Sequence, residues 1–85
     1  MQFYYLNSDL EIQHNNLIVQ RDTQRQHMLY VRIAIERIQD LLNILPEEAQ
    51  LYPIYVNALN YFTNMYNEME NDLQEIERMI DHFPN

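Results

Sequence analysis

Residues 28–45 read MLYVRIAIERIQDLLNIL, with an apolar side chain at nearly every third or fourth position and neither glycine nor proline. This spacing places the apolar side chains along one side of an α-helix. Steps of four and three residues alternate without a break from Leu10 to Leu45, as in the a and d seam of a coiled coil. The seam consists of Leu10, His14, Leu17, Arg21, Gln24, Met28, Val31, Ile35, Ile38, Leu42 and Leu45.

The start of this helix is marked by a capping pattern. Asn7, Ser8 and Asp9 precede the seam, and Ser8 with Glu11 matches a capping box. The sequence therefore predicts a first helix over about residues 8–45.

A second heptad follows in which every seam position is apolar or aromatic. It consists of Tyr52, Tyr55, Leu59, Phe62, Tyr66, Met69, Leu73, Ile76, Ile80 and Phe83. Between the two heptads, Pro46 followed by two glutamates resembles the first turn of a helix, whereas Pro53 disfavours helix at the residue before it. We predict a turn over about 46–52 and a second helix over about 53–82; a single kinked helix from Pro46 is the competing interpretation.

Two long heptads joined by a few residues predict an all-α, antiparallel two-helix hairpin, coiled-coil-like, within a single domain, 1–85. A hairpin this small buries little surface, and the chain has no cysteine that could form a stabilising disulfide. We therefore expect assembly into a four-helix bundle. The predicted seam register pairs Leu42 with Tyr55, Ile35 with Phe62, Met28 with Met69, Arg21 with Ile76 and His14 with Phe83. Beside the seam it sets Arg25 opposite Glu70 and His27 opposite Asp72.

Composition argues against several function classes. Without glycine or cysteine, phosphate-cradling loops, nucleophile elbows and thiolate metal sites are not expected. A net charge of −8, with only five basic residues, disfavours nucleic acid and anionic membranes as partners. No signal peptide or membrane span is visible, so a soluble, by default cytoplasmic, protein is expected. We predict no catalytic residues, no enzyme activity, no cofactor and no metal.

The apolar residues outside the seam are too many for one hairpin to bury. They crowd residues 29–66 and predict a partner interface near the turn, since monomers seldom expose large apolar patches. The predicted interface residues are Leu29, Ile33, Ala34, Leu41, Leu51, Ala58, Tyr61 and Met65. Further apolar residues outside the seam are Tyr30, Ile44, Ile54 and Val56.

Polar residues provide three further hypotheses. An acidic face is predicted on helix 2, more simply a solvated face than an acid–base site; it consists of Glu68, Asp72, Glu75 and Glu77. Arg21 and Gln24 interrupt the seam and either fix its register or reach water with their polar ends. His14 and His82 come together in this register and form either a pair of surface histidines or a weak metal or pH-sensing cluster.

These features favour a non-enzymatic protein–protein interaction module, such as an adaptor, chaperone or structural subunit, whose partner is a second copy, a related hairpin or a foreign protein. The alternative is a small acidic inhibitor, for example viral or plasmid-borne, that occupies a basic groove of its target. Salt dependence separates the two, since groove mimicry weakens steeply with salt.

The predicted architecture also resembles that of the secreted helical hairpins of the WXG100 type, which place two long helices around a short central turn. The spacing of Tyr66 and Glu70 is similar to their C-terminal Tyr-xxx-Asp/Glu signal, but the Trp-x-Gly turn that defines them is missing. The resemblance implies a third hypothesis, a secreted hairpin or a toxin chaperone.

Overall fold

The chain folds into a hairpin of two long helices. The structure is a computed structural model that describes the backbone of residues 2–84 and the side chains of residues 9–84. Helix α1 spans Gln2–Ile44 and helix α2 spans Tyr52–Asp81, and the two pack against each other with no strand among the described residues. The result is a rod of 71 × 15 × 14 Å. The predicted all-helical hairpin is therefore confirmed.

The connection between the helices consists of successive short turns. The amide of Ala49 donates to the carbonyl of Pro46, and the amide of Tyr52 donates to the carbonyl of Ala49, each at 3.0 Å. Helix α2 then begins at Tyr52 with Pro53 in its first turn, where a missing amide hydrogen leaves no helical bond unmade. The chain thus has a separate turn and a helix starting beside Pro53, not one kinked helix from Pro46.

The first helix begins earlier than the capping pattern predicted. Its backbone is helical from Gln2, so Ser8 lies inside the helix, and the boundary expected at about residue 8 was wrong. A capping box marks a place where a helix can start, but residues 2–7 contain no glycine or proline that would stop the helix from extending further. Because α1 is 43 residues long and α2 is 30, the first turns of α1 project beyond the end of α2.

Contacts between the helices agree with the predicted register. The rings of His14 and Phe83 lie with their centroids 5.2 Å apart, which confirms that pair. Met28 shares a shallow groove with Tyr66 and Leu73, the residues on either side of its predicted partner Met69 along the seam. The same alignment of the helices therefore holds at the open end and at the middle of the rod.

The charged pairs beside the seam differ from the prediction. Arg25 Nη2 lies 3.0 Å from Glu77 Oε1, so the arginine pairs with Glu77 and not with Glu70. Both glutamates occupy e positions seven residues apart, and the long arginine side chain reaches the one nearer the open end. Among the ion pairs of the described residues, none joins His27 to Asp72.

The core of the hairpin is thin. Of the side chains that the structure describes, only Leu17, Met28 and Ile38 are buried, each with 8–9% of its surface exposed. The other described seam residues remain half-buried, because two helices cover each other on one side only. A hairpin with so little enclosed apolar surface is stabilised by any further layer that packs against it.

Candidate protein-binding surface

One side of the hairpin carries an apolar surface next to the turn. In heptad terms it consists of the g and c positions of both helices, which are adjacent around each helix and lie on the same flank of an antiparallel pair. We call this surface the turn-proximal face. Its apolar members are Tyr30, Ala34, Leu41, Ile44, Leu51, Ile54, Ala58, Tyr61 and Met65.

The large side chains of the turn-proximal face are open to solvent. Ile44 is 77% exposed, Tyr61 60% and Ile54 58%. Leu51 is also exposed, and Leu41 is at the margin of exposure with 37%. Ala34, Ala58 and Met65 are half-buried and lie between these residues and the seam. Arg37 is the one charged residue at a g or c position between residues 30 and 44 or between 51 and 65, and its stem can lie along apolar neighbours while its head stays in water.

Not all predicted interface residues belong to this face. Leu29 lies on the opposite flank, where it shares a groove with Arg25 and Arg32. Ile33 lies on the outer side of α1, away from the seam, with 36% of its surface exposed. The predicted residues therefore divide between two sides of the rod, and six of the eight lie together.

The predicted interface left out three residues of the turn-proximal face that are among its most exposed, Tyr30, Ile44 and Ile54. All three occupy c positions, one step further from the seam than g. Tyr61, also at a c position, was part of the predicted interface, so the prediction followed this outer row of residues only in part. Ile12 and Val19, exposed by 55% and 62%, form a separate outer stripe on α1 that the sequence did not single out. The signal that finds both groups is a large apolar residue at b, c or f, where polar residues are expected.

The same side of the rod is acidic towards the open end. Glu68, Asp72 and Glu75 occupy the c and g positions of α2 that follow Met65, and all three are exposed. Glu75 pairs with Arg78 one turn later; this hydrogen bond lowers the pKa of Glu75 below its usual value and raises that of Arg78. Among the described residues, Glu68 and Asp72 take part in no ion pair.

Glu77 lies apart from the other predicted members of the acidic face. It occupies an e position on the opposite flank, where its carboxylate accepts a hydrogen bond from Arg25. Its charge is therefore already engaged within the hairpin. The acidic surface available to a partner on the flank of the turn-proximal face consists of Glu68, Asp72 and Glu75.

The two polar seam residues behave differently. Gln24 crosses the seam, and its Nε2 donates to the carbonyl oxygen of Met69 at 3.0 Å in a partly buried position. Arg21 instead turns to its neighbour Asp22, with 28% of its side chain exposed. Gln24 is thus the residue placed to fix the register, while Arg21 lays its stem along the seam and keeps its charge near water.

The histidines at the open end make separate contacts. His14 packs against Phe83, whereas His82 Nδ1 lies 2.9 Å from the carbonyl oxygen of Arg78. Leu17, Met79, His82 and Phe83 border a shallow, open depression there. Within the described part of the chain, no three histidine, cysteine or acidic side chains come together in a group that could hold a metal ion.

Tyr66, which carries the resemblance to the WXG100 signal, is a half-buried seam residue that lines two grooves beside α1. Neither helix, over the described residues, has an apolar run long enough to cross a bilayer. Comparison of this chain with protein-family models, with curated proteins and with solved structures gave no match.

Proposed function

We propose that this protein is a non-enzymatic interaction module that binds another protein through its turn-proximal face. The observation that supports this most strongly is the exposure of Ile44, Ile54 and Tyr61 on one flank of one half of the rod. Apolar side chains scattered over a surface are ordinary, whereas a contiguous group rimmed by polar residues marks a binding surface. An adaptor, a chaperone or a structural subunit would each use such a face.

The total exposed surface supports the same proposal. A folded monomer of 10.5 kDa is expected to expose about 5,400 Å², whereas this chain exposes 6959 Å². The excess of about 1,500 Å² is larger than the ~800 Å² that each partner buries in a standard protein interface. Burial of ~800 Å² against a partner of ordinary size would therefore remove about half of this excess.

The experiment that tests this proposal compares two variants with the same change in charge. Leu41→Glu places a carboxylate within the turn-proximal face, while Gln20→Glu places one at the same heptad position of α1 towards the open end. Burial of an unpaired carboxylate costs several kcal/mol, so Leu41→Glu is expected to abolish association and Gln20→Glu to preserve it.

Association is measured as self-association in sedimentation equilibrium and as host proteins captured by the tagged chain and identified by mass spectrometry. Circular dichroism confirms that both variants remain helical, as expected because neither position belongs to the seam. If Leu41→Glu binds as the wild type does in both assays, the turn-proximal face is not the binding surface.

The second candidate function is a small acidic inhibitor of a protein with a basic groove. It is favoured by Glu68 and Asp72, two exposed carboxylates without ion pairs among the described residues. Under this proposal Glu68→Gln with Asp72→Asn weakens binding and flattens its salt dependence, while Leu41→Glu leaves it intact. Glu77 is a poor probe for this purpose because its carboxylate is engaged with Arg25.

A further inference from the structure

We infer that the occupant of the turn-proximal face is a second copy of this chain, packed face to face in the antiparallel sense, so that only the turn halves of the two hairpins overlap. This inference rests on the proposed function and adds the partner and its orientation. The overlapping halves would form a four-helix layer about 20 Å long, since 15 residues of each helix contribute at 1.5 Å each. The acidic halves would extend from opposite ends.

The turn-proximal face meets the symmetry requirement of a two-fold dimer. A two-fold interface uses the same patch on both copies, so the patch must be self-complementary. The turn-proximal face is apolar on both sides of the turn over the same length of the rod, residues 30–44 in α1 and residues 51–65, which comprise Leu51 and the first half of α2. Its centre lies near Arg37 and Ala58, and a two-fold axis there places apolar side chains of each copy against those of the other. Arg37 is exposed at a c position on the edge of the face, where it lies near its own symmetry mate and keeps its head in water.

Charge determines the orientation. In a parallel arrangement, with turn over turn, the copies overlap along their whole length and α2 of one faces α1 of the other. Glu68, Asp72 and Glu75 would then be covered by positions 16, 20, 23 and 27 of the partner copy. These positions hold asparagine, glutamine, threonine and histidine, with no arginine to pair with the carboxylates.

Glu75 is paired with Arg78 in its own helix, but Glu68 and Asp72 take part in no ion pair among the described residues, and desolvating such carboxylates is unfavourable. The antiparallel arrangement avoids this, because each acidic half lies beyond the end of the other hairpin and stays in water. The division of one flank into an apolar half and an acidic half therefore selects against the parallel dimer by charge, while the apolar half supplies the attraction.

The experiment measures the distance between the two copies with a spin label on Arg78→Cys, a position on the outer side of α2. Position 78 lies 20 residues from the centre of the patch, about 30 Å along the helix, so the antiparallel dimer predicts a separation of about 60 Å between labels. In the parallel dimer the labels lie at the same level of the rod and within about 30 Å, because helices of a bundle are about 10 Å apart. Double electron–electron resonance separates these distances.

A second measurement tests the position of the two-fold axis. Ala58→Cys is expected to form a disulfide between copies, because position 58 lies beside its own symmetry mate in the antiparallel dimer only. A label separation below about 30 Å, with no such disulfide, overturns the orientation and leaves the proposed function standing. If the protein is a monomer in sedimentation equilibrium at up to millimolar concentration, the partner at the turn-proximal face is not a second copy of this chain. The proposed function itself fails only if Leu41→Glu also leaves the capture of host proteins unchanged.

Discussion

Met28 is the most buried described residue of the hairpin, with 8% of its surface exposed, and it provides the sharpest test of the seam. Truncation of a buried methionine to alanine costs about 2–5 kcal/mol, of which part is the transfer of the side chain and part the cavity left behind. The groove beside Met28 is open to solvent at Tyr66 and Leu73, so the cavity can partly collapse or hydrate. We therefore expect Met28→Ala to lower the free energy of unfolding by about 2–3 kcal/mol.

The matched control is Met79→Ala on the g flank of α2. Met79 is 47% exposed, so about half of its transfer free energy is at stake and little cavity forms, and we expect a loss of about 1 kcal/mol or less. Both changes replace methionine by alanine inside a helix, so the gain in helix propensity is the same and drops out of the comparison. Urea unfolding followed by circular dichroism, at one protein concentration, measures both. Equal losses for the two variants would refute the seam described above.

The remaining predictions concern polar contacts. A double-mutant cycle of Arg25→Gln and Glu77→Gln should give a coupling of at most about 1 kcal/mol, since the pair is exposed; a coupling of several kcal/mol would mean that the pair is desolvated. Gln24→Leu should leave the free energy of unfolding unchanged or raise it by about 1 kcal/mol. The variant loses an amide hydrogen bond that contributes about 1 kcal/mol, but the leucine gains at least as much from apolar contact in the seam. A clear destabilisation would contradict this. The pKa of Glu75 is lowered in the folded helix, so its contribution to stability is present above the pKa of the unfolded chain and is lost as the pH falls through the lowered value. Its carboxyl resonance in NMR should titrate at higher pH in Arg78→Gln, and an unchanged midpoint would show that the pair does not form in solution.

The architecture could be predicted from the sequence because one physical pattern determines it. Alternating steps of three and four residues place the seam of each helix on one side, and a seam that must face another seam leaves the hairpin as the simplest solution. The ring of His14 against that of Phe83 shows that even the alignment of the helices follows from the pattern. Pro53 indicated where α2 begins for an equally local reason, because proline has a fixed backbone φ angle and no amide hydrogen to donate.

Other features could not be obtained from the pattern. The start of α1 at Gln2 was missed because a capping box permits a helix to begin but does not forbid one from continuing through it. The partner of Arg25 was misassigned because heptad geometry defines the flank, while the length and direction of an arginine side chain decide which of two acidic residues it reaches. The exposed fraction of each seam side chain also depends on how much of its surface the opposite helix covers, and this is known only once the two helices are packed together.

A net charge of −8 opposes self-association, since like charges repel. Its distribution resolves the conflict. In the antiparallel arrangement the Asp72 residues of the two copies lie about 40 Å apart along the rod, several times the Debye length of about 8 Å at physiological salt. Their repulsion is therefore screened, while the apolar contact at the centre is insensitive to salt. The acidic ends contribute little to the stability of such a dimer, but they remain solvated and exclude arrangements that would cover them, which limits the assembly to the apolar half of each hairpin.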